Sequence, residues 1–200
     1  MTSPKMGRAD LHMHTNASDG QPSVKELLNF VAKHRPHLNA IAITDHDKLD
    51  ASLWAYERRH FYPFDIIPGV EVSCYGGHML ALWVTDPIPQ GMNFTETAAA
   101  IHDAGGLAIL AHPFHPFMYC HLKQELRTLR HPNGLIGMGI DALEIHNAGI
   151  ARTGFNWLAR QIARTIGIAV TGGSDAHTVG AIGTGSIIAG YLYPNDGAEI

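Results

Sequence analysis

The stretch Ala40-Ile-Ala-Ile-Thr-Asp-His-Asp47 changes abruptly from an apolar run to three consecutive ionisable side chains. An uninterrupted apolar run is typical of a parallel strand that is covered on both sides. The three ionisable residues that follow have no packing purpose, and burying them unpaired would be costly. Because parallel α/β folds bind ligands at the carboxyl ends of their strands, this junction predicts a strand that leads into a functional site.

The same kind of junction recurs along the chain. Apolar runs predict seven strands, at Arg8–Met13, Ala40–Thr44, Ile66–Val72, His78–Thr85, Leu107–Ala111, Ala142–Ile145 and Ile168–Thr171. Helix-like stretches lie between them, at Ser23–His34, Ala51–Arg59, Thr95–Ala104, Gln124–Leu129 and Phe155–Ile166. Repeated strand–helix units imply a parallel α/β sheet, either a barrel or a doubly wound sheet. Ionisable groups follow five or more of these strands, and a flat sheet would spread them apart, so we expect a closed or nearly closed barrel.

Composition narrows the class of protein. The 200 residues, 46% hydrophobic and 16% charged, fit one globular domain. A formal net charge of −4 gives no general attraction to nucleic acid or to anionic membranes. Cys74 and Cys120 form no CxxC pair, which predicts a reducing, cytoplasmic setting. No signal-peptide core opens the chain, and no apolar run is long enough to cross a bilayer.

Histidine is unusually abundant, with 14 residues against 14 lysines and arginines together. In Asp10-Leu-His12-Met-His14 the two histidines are two residues apart, and such residues share one face of a strand. They can therefore bind one metal ion or two adjacent ions. Ser174-Asp175-Ala-His177 repeats this spacing. Asp10 is predicted to be the carboxylate that orients one of the ligating imidazoles.

Other candidates have ordinary interpretations when each is taken singly. Asp19 in Ser18-Asp-Gly20 could be a turn residue, Glu71 a surface glutamate and His78 a strand-end histidine. His112, between an apolar run and Pro113, is harder to explain by packing. Imidazoles and carboxylates without thiolates suit zinc, manganese or iron, and Cys74 is expected to be an inert, partly buried thiol. A mixed set with a bridging glutamate suits a two-metal site that activates water and holds an oxyanion.

The order of these motifs resembles the PHP (polymerase and histidinol phosphatase) family of metal-dependent phosphoesterases. The resemblance runs from Asp10 to His177 through DLHxHTxxSDG, TDHD, GVEVS, a histidine-led strand, AHP and SDAH. It implies a distorted seven-stranded (β/α) barrel with two or three divalent metal ions, manganese, iron or zinc, and Glu71 as a bridging ligand. The ligands that it implies are His12, His14, Asp19, His46, Glu71, His78, His112, Asp175 and His177.

Within the family the chain is most similar to small stand-alone members, but it departs from them after the AHP motif. Small members often carry an arginine there that can hold substrate phosphate, whereas this chain has His115. Substrate contacts are predicted at His115, Lys48, Arg152 and His146. Related barrels usually continue into a closing helix, so the single domain predicted for residues 1–200 can lack that element.

The leading functional hypothesis is hydrolysis of a small phosphomonoester, such as a metabolite or a nucleotide, by a metal-activated hydroxide. Asp175 and His177 are the candidate acid/base residues. A nuclease or phosphodiesterase is a second hypothesis, weakened by the acidic net charge and the lack of a basic, aromatic-lined groove. A metallohydrolase of carbamates, esters or amides is a third, and a non-enzymatic metal-binding module is the least favoured. The sequence does not reveal the oligomeric state.

Overall fold

A computed structural model describes residues 6–115 and 134–190 of the chain. The predicted helix Gln124–Leu129 lies outside the described residues. The strands are β1 (Met6–Asp10), β2 (Ala40–Ile43), β3 (Asp65–Cys74), β4 (Gly77–Leu82), β5 (Leu107–Leu110), β6 (Ala142–Asn147), β7 (Ala169–Gly173) and β8 (Ile187–Gly190). The α-helices are α1 (Val24–His34), α2 (Asp50–Glu57), α3 (Phe94–Asp103), α4 (Gly134–Gly137) and α5 (Phe155–Ile166), with 3-10 helices at Arg59–Phe61, Ala148–Thr153 and Val179–Ala181.

The strands form one sheet in the order β7-β6-β5-β4-β3-β2-β1-β8. The sheet curls until β1 meets β7, where the Leu11 amide donates to the Gly172 carbonyl (3.3 Å) and Met13 pairs with Ala176. Seven strands therefore make a nearly closed barrel, which confirms the predicted distorted (β/α) barrel. The eighth, β8, runs antiparallel to β1 and was not predicted, because its four residues follow a glycine-rich stretch.

One part of the sheet prediction was wrong. β4 is antiparallel to both β3 and β5, whereas the strand–helix alternation implied a wholly parallel sheet. The reason is the short connection: Cys74 pairs with Gly77, so only two residues separate the strands. A parallel pair needs a crossover of a dozen residues or more, and a two-residue turn can only join antiparallel strands.

The two faces of β2 show how the layers are arranged. Ile41 and Ile43 pack in a buried cluster with Leu27 and Val31 of α1 and therefore face the helices. Ala40 and Ala42 lie in a separate buried cluster with residues of β1, β3, β4, β5 and β6. That second cluster fills the barrel, and its small side chains suit a narrow interior. The ionisable groups lie past this packed interior, at the ends of the strands.

Two of the helices begin with capping boxes. The Ser23 hydroxyl accepts from the Glu26 amide (3.3 Å), and Glu26 accepts in return from the Ser23 amide (2.8 Å). Asn93 and Glu96 make the same reciprocal pair at the start of α3. No helix in the described ranges is long and apolar enough to span a membrane.

Candidate metal centre

The strand ends bring the predicted ligands to one rim of the barrel. His12 and His14 follow β1, His46 follows β2, Glu71 lies in β3, His78 begins β4, His112 follows β5, and Asp175 and His177 follow β7. Because β4 runs in the opposite direction to its neighbours, its first residues reach the same rim as the last residues of the others. Asp19 reaches the rim from the loop between β1 and α1.

Glu71 is the centre of the cluster. Its side chain is 1% exposed, and both of its oxygen atoms face imidazole nitrogens. Oε1 lies 3.0 Å from His78 Nδ1 and 3.0 Å from His112 Nε2. Oε2 lies 3.0 Å from His12 Nε2, 3.2 Å from His14 Nε2 and 3.4 Å from His46 Nδ1. One carboxylate thus separates two groups of imidazoles, which is the arrangement expected of a bridging ligand.

Asp19 and Asp175 supply the other carboxylates of the cluster. Asp175 Oδ1 lies 3.2 Å from His14 Nε2 and 3.5 Å from His12 Nε2. Asp19 Oδ2 lies 3.1 Å from His177 Nε2 and 3.7 Å from His46 Nε2. Four groups can each offer donor atoms within 4.8 Å of one another: His14/Asp19/His46/His177, His12/His14/Glu71, His12/His112/Asp175 and His46/Glu71/His78. All nine predicted ligands belong to at least one group.

Glu144 orients His12, so the role predicted for Asp10 is wrong. Glu144 Oε1 lies 3.0 Å from Nδ1 of His12, whose Nε2 faces the cluster, and both side chains are buried. Asp10 instead accepts from the backbone amides of Ser174 (2.8 Å) and Gly183 (2.7 Å). Its carboxylate therefore fixes the loop that carries Asp175 and His177. Glu144 was missed because nothing in the sequence marks a partner 132 positions from His12.

Two further carboxylates hold the loops beneath the rim. Asp45 accepts from the amide and the hydroxyl of Thr15 (both 2.7 Å) and from the Ser18 hydroxyl (2.6 Å), which fixes the loop that carries Asp19. Asp47 accepts from the amide (2.8 Å) and the hydroxyl (2.7 Å) of Ser73 at the end of β3. Asp45 and Asp47, the residues on either side of His46, therefore hold neighbouring loop and strand segments in position.

The backbone is strained at two of the cluster residues. His112 has a φ of 25° and Asp175 a φ of 52°, values that residues with a Cβ rarely adopt. Strain of this kind persists only where the surrounding structure enforces it, and it is concentrated at functional sites. At Asp175 the enforcing contact is the hydrogen bond from its amide to the His12 carbonyl (2.8 Å).

The electrostatics of the cluster favour paired charges. Burial opposes the protonation of His12, but the carboxylates of Glu71 and Asp175 outweigh it and raise the pKa of His12 well above its ordinary value. The same competition raises the pKa of His14 to about 9, because the nearby carboxylates of Asp175 and Glu71 prevail over burial. Burial also opposes the ionisation of Glu71, yet the neighbouring imidazoles hold its pKa well below the usual range. Without an ion, positive imidazoles balance the carboxylates.

The donor set fits divalent metal ions. Both ring nitrogens of His14 are buried without a hydrogen bond of good geometry to any residue that the structure describes. A buried imidazole in that state is costly unless something binds its lone pair. Imidazole and carboxylate donors suit zinc, manganese or iron. Cys74 borders the cluster, but burial raises the pKa of its thiol to about 11, so it stays protonated and inert, as expected.

A cavity of about 440 Å³ opens beside the cluster. It is lined by His46, Glu71, Cys74, Gly76, Gly77, His78, His112, His115, Asp175 and His177. Of the predicted substrate contacts whose side chains the structure describes, His115 alone is among these residues. Burial and the nearby His112 lower the pKa of His115.

Lys48 and His146 are not among the residues that line the cavity. Lys48 is exposed and donates to the Ala17 carbonyl (2.7 Å). His146 lies 3.3 Å from the guanidinium of Arg160, and burial together with that charge lowers the pKa of His146. Arg152 belongs to the 3-10 helix Ala148–Thr153, but its side chain lies outside what the structure describes.

Fold and site together define the class: an α/β barrel with a candidate multinuclear metal centre at one rim. The model of the PHP domain matches residues 10–138, and that of the PHP-associated region matches residues 153–188. The chain belongs to the PHP domain family, as the order of its motifs indicates. It is 32% identical to an uncharacterized protein of Methanocaldococcus jannaschii over 151 residues, which is 70% of this chain and 82% of that protein.

Solved structures share the fold. A two-domain Bacteroides vulgatus protein, described as containing a predicted PHP-like metal-dependent phosphoesterase, superposes with a TM-score of 0.69 at 17% identity. The match covers 88% of this chain and 53% of that one. A lesion-specific endonuclease from Pyrococcus furiosus superposes with a TM-score of 0.63 at 16% identity, over 90% of this chain and 51% of the endonuclease. This chain thus spans about half the length of either structure.

Proposed function

We propose that this protein is a metal-dependent phosphomonoesterase that acts on a small phosphorylated metabolite or nucleotide. The observation that carries the proposal is the convergence of nine candidate ligands, Glu71 at their centre, at the edge of an open cavity. Membership of the PHP domain family supports a hydrolase. The monoester and the small substrate are inferred from the site.

In this proposal the nine side chains that cluster about Glu71 hold two or three ions of manganese, iron or zinc. Such ions, when bound, would lower the pKa of a water molecule towards neutrality and stabilise the phosphoryl oxygens. The role of Glu71 is to hold the imidazoles on its two sides at a fixed spacing through one rigid carboxylate. Glu144 keeps His12 in the tautomer whose Nε2 faces the cluster.

Proton transfer falls to His177 rather than to Asp175. The side chain of Asp175 is only 18% exposed, and its Oδ1 faces His12 and His14. The side chain of His177 is 40% exposed at the rim, where solvent can reach it. His115, across the cavity, is proposed to contact the phosphate or the leaving group.

The cavity favours a small substrate over a nucleic-acid strand. Its volume is at the lower end of the range for small-molecule sites. No lysine or arginine is among the described residues that line it, whereas sites that track a strand need a basic groove with aromatic platforms. An endonuclease of similar fold makes oligonucleotides a necessary part of the test.

The test is a hydrolysis screen of protein that has been stripped with a chelator and reloaded with manganese, iron or zinc in turn. The panel holds nucleoside monophosphates, bisphosphates, short oligonucleotides, carboxylic esters and carbamates. We expect phosphate release from a monoester, lost in Glu71→Gln and kept in Glu57→Gln, a matched change on the exposed end of α2. Cleavage of oligonucleotides alone, or of esters and carbamates alone, would replace the proposal with the corresponding alternative.

We further propose that residues 1–200 act as one domain and that the protein works in the cytoplasm. The two cysteines without a CxxC pair support a reducing setting.

A further inference from the structure

A buried amide that is not among the residues lining the cavity contacts carboxylates of the cluster region. Asn147, the last residue of β6, is fully buried. The side chain of Asn156 in α5 hydrogen-bonds to both its backbone amide and its backbone carbonyl. The Asn147 amide donates to Asn156 Oδ1 (3.1 Å), and Asn156 Nδ2 donates to the Asn147 carbonyl (2.8 Å). The side chain of Asn147 therefore starts from a backbone that cannot shift without breaking both bonds.

The side-chain amide of Asn147 joins two carboxylates. Its Nδ2 donates to Glu144 Oε2 (3.1 Å) and to Asp175 Oδ2 (3.1 Å). Ionised carboxylates only accept hydrogen bonds, so the NH2 group and not the oxygen must face them. The buried Oδ1 makes no hydrogen bond to the described residues, so the two carboxylates alone fix the orientation of the amide.

Each carboxylate uses its other oxygen on the cluster. Glu144 Oε1 contacts His12, and Asp175 Oδ1 faces His12 and His14. Close packing keeps this arrangement in place. A Cβ on Gly149 would come within 3.1 Å of Asn147 Oδ1 and 3.4 Å of Asp175 Oδ2. Asp175 thus has one oxygen occupied by Asn147 and one left for the cluster.

We propose that Asn147 is a positioning residue that turns Oδ1 of Asp175, and through Glu144 the ring of His12, towards one metal ion. That ion would be the one that the His12/His112/Asp175 group can hold. A neutral donor suits this position because it fixes two anions without adding a charge that would repel a cation. The proposal rests on the proposed metal cluster but not on the identity of the substrate.

The test measures metal binding and not only turnover. Stripped protein is titrated with Co²⁺ and followed by visible absorption and calorimetry, and bound metal is counted after gel filtration. Asn147→Asp keeps the size of the side chain but removes the NH2 donor, and Asn147→Ala removes the donor without adding charge. We expect one ion per chain to bind about 10–100-fold more weakly in both variants, while the other ions bind as in the wild type.

The matched control is Asn93→Asp, the same change at the N-cap of α3, where aspartate caps as well as asparagine. Thermal unfolding of the stripped variants separates positioning from general support. If either variant melts earlier while every ion binds as tightly as in the wild type, Asn147 is merely structural and the proposal fails. Equal weakening of all ions, or the same effect in Asn93→Asp, overturns it too. A wild type that binds its ions but hydrolyses no phosphate would defeat the proposed function and leave this inference intact.

Discussion

Replacing Glu71 with glutamine tests the ionic character of the cluster before any metal is added. The substitution keeps the shape of the side chain and removes the one negative charge that contacts five imidazoles at 3.0–3.4 Å. In the stripped protein, His12, His14 and His112 have raised pKa values because carboxylates around them, Glu71 foremost for His12, overcome the effect of burial. Glu71→Gln therefore leaves buried imidazolium groups short of a counter-ion.

Breaking a buried ion pair from one side typically costs about 3–5 kcal/mol. For a domain of this size, each kcal/mol corresponds to roughly 2–4 °C in Tm. We therefore expect stripped Glu71→Gln to melt about 6–20 °C below the stripped wild type near pH 6.

The sign of the pH dependence follows from the direction of each shift. A histidine with a raised pKa stabilises the fold below its unfolded value of about 6.5, and that contribution disappears as the pH rises through its folded value, about 9 for His14. The depressed pKa of Glu71 stabilises the fold above about 4.5, and this contribution is lost on further acidification. The network is thus strongest between about pH 4.5 and 6.5 and weakens towards pH 9.

The assay is thermal unfolding with a chelator present, at pH 6 and at pH 9.5, for the wild type, Glu71→Gln and the surface control Glu57→Gln. We expect the deficit of Glu71→Gln to be smaller at pH 9.5 than at pH 6, because His14, whose pKa is about 9, is then largely neutral and no longer needs the charge. The control should match the wild type at both values. A deficit that is the same at pH 6 and pH 9.5 would refute the ion-pair account and reduce Glu71 to a packing residue in the metal-free state.

Three further predictions concern the same site. Metal binding at pH 7 should release protons because the pKa of His14 is about 9, and the apparent metal affinity should rise with pH up to that value. Calorimetry in buffers of different ionisation enthalpy measures the number of protons released. An absence of proton release would contradict the raised pKa. His115→Ala should lower kcat/KM for a phosphate ester while the metal content stays unchanged, and the loss should be larger at pH 5.5 than at pH 7.5 because only the protonated ring carries charge. His115→Arg should retain activity. Unchanged kinetics in both variants would exclude a phosphate contact. Glu144→Gln should weaken metal binding about 10–100-fold, whereas Asp10→Asn should mainly lower the free energy of unfolding, by about 1–3 kcal/mol. Metal titration and chemical unfolding measure the two effects. Weaker metal binding in Asp10→Asn than in Glu144→Gln would restore the role first predicted for Asp10.

The sequence predicted the parts of the fold and site that depend on local pattern. An apolar run followed by ionisable residues identifies a buried strand and its carboxyl end, which is why the junctions at His12, His46 and Asp175 appear at the rim as expected. Helix α5 begins and ends at the predicted residues, because a glycine precedes its start and another follows its end.

The errors concern relations between distant residues or between strands. Apolar periodicity does not tell the direction of a strand, so the reversal of β4 could be seen only in the two-residue turn before it. The choice between Asp10 and Glu144 as the partner of His12 depends on the fold, because Asp10 is near in sequence but directed at Ser174 and Gly183.

The reversed strand also provides a way for this site to diversify. Glu71 and His78 lie on two strands that pair from Gly69/Leu82 to Cys74/Gly77, and Gly76 of the turn and Gly77 at the start of β4 line the cavity. Chain can be inserted at a hairpin turn at small entropic cost, because loop-closure entropy grows only slowly with length. A longer turn would reshape the cavity while the ladder of hydrogen bonds keeps both side chains in register. Descendants of this barrel could thus evolve new substrate preferences without rebuilding the centre that performs the chemistry.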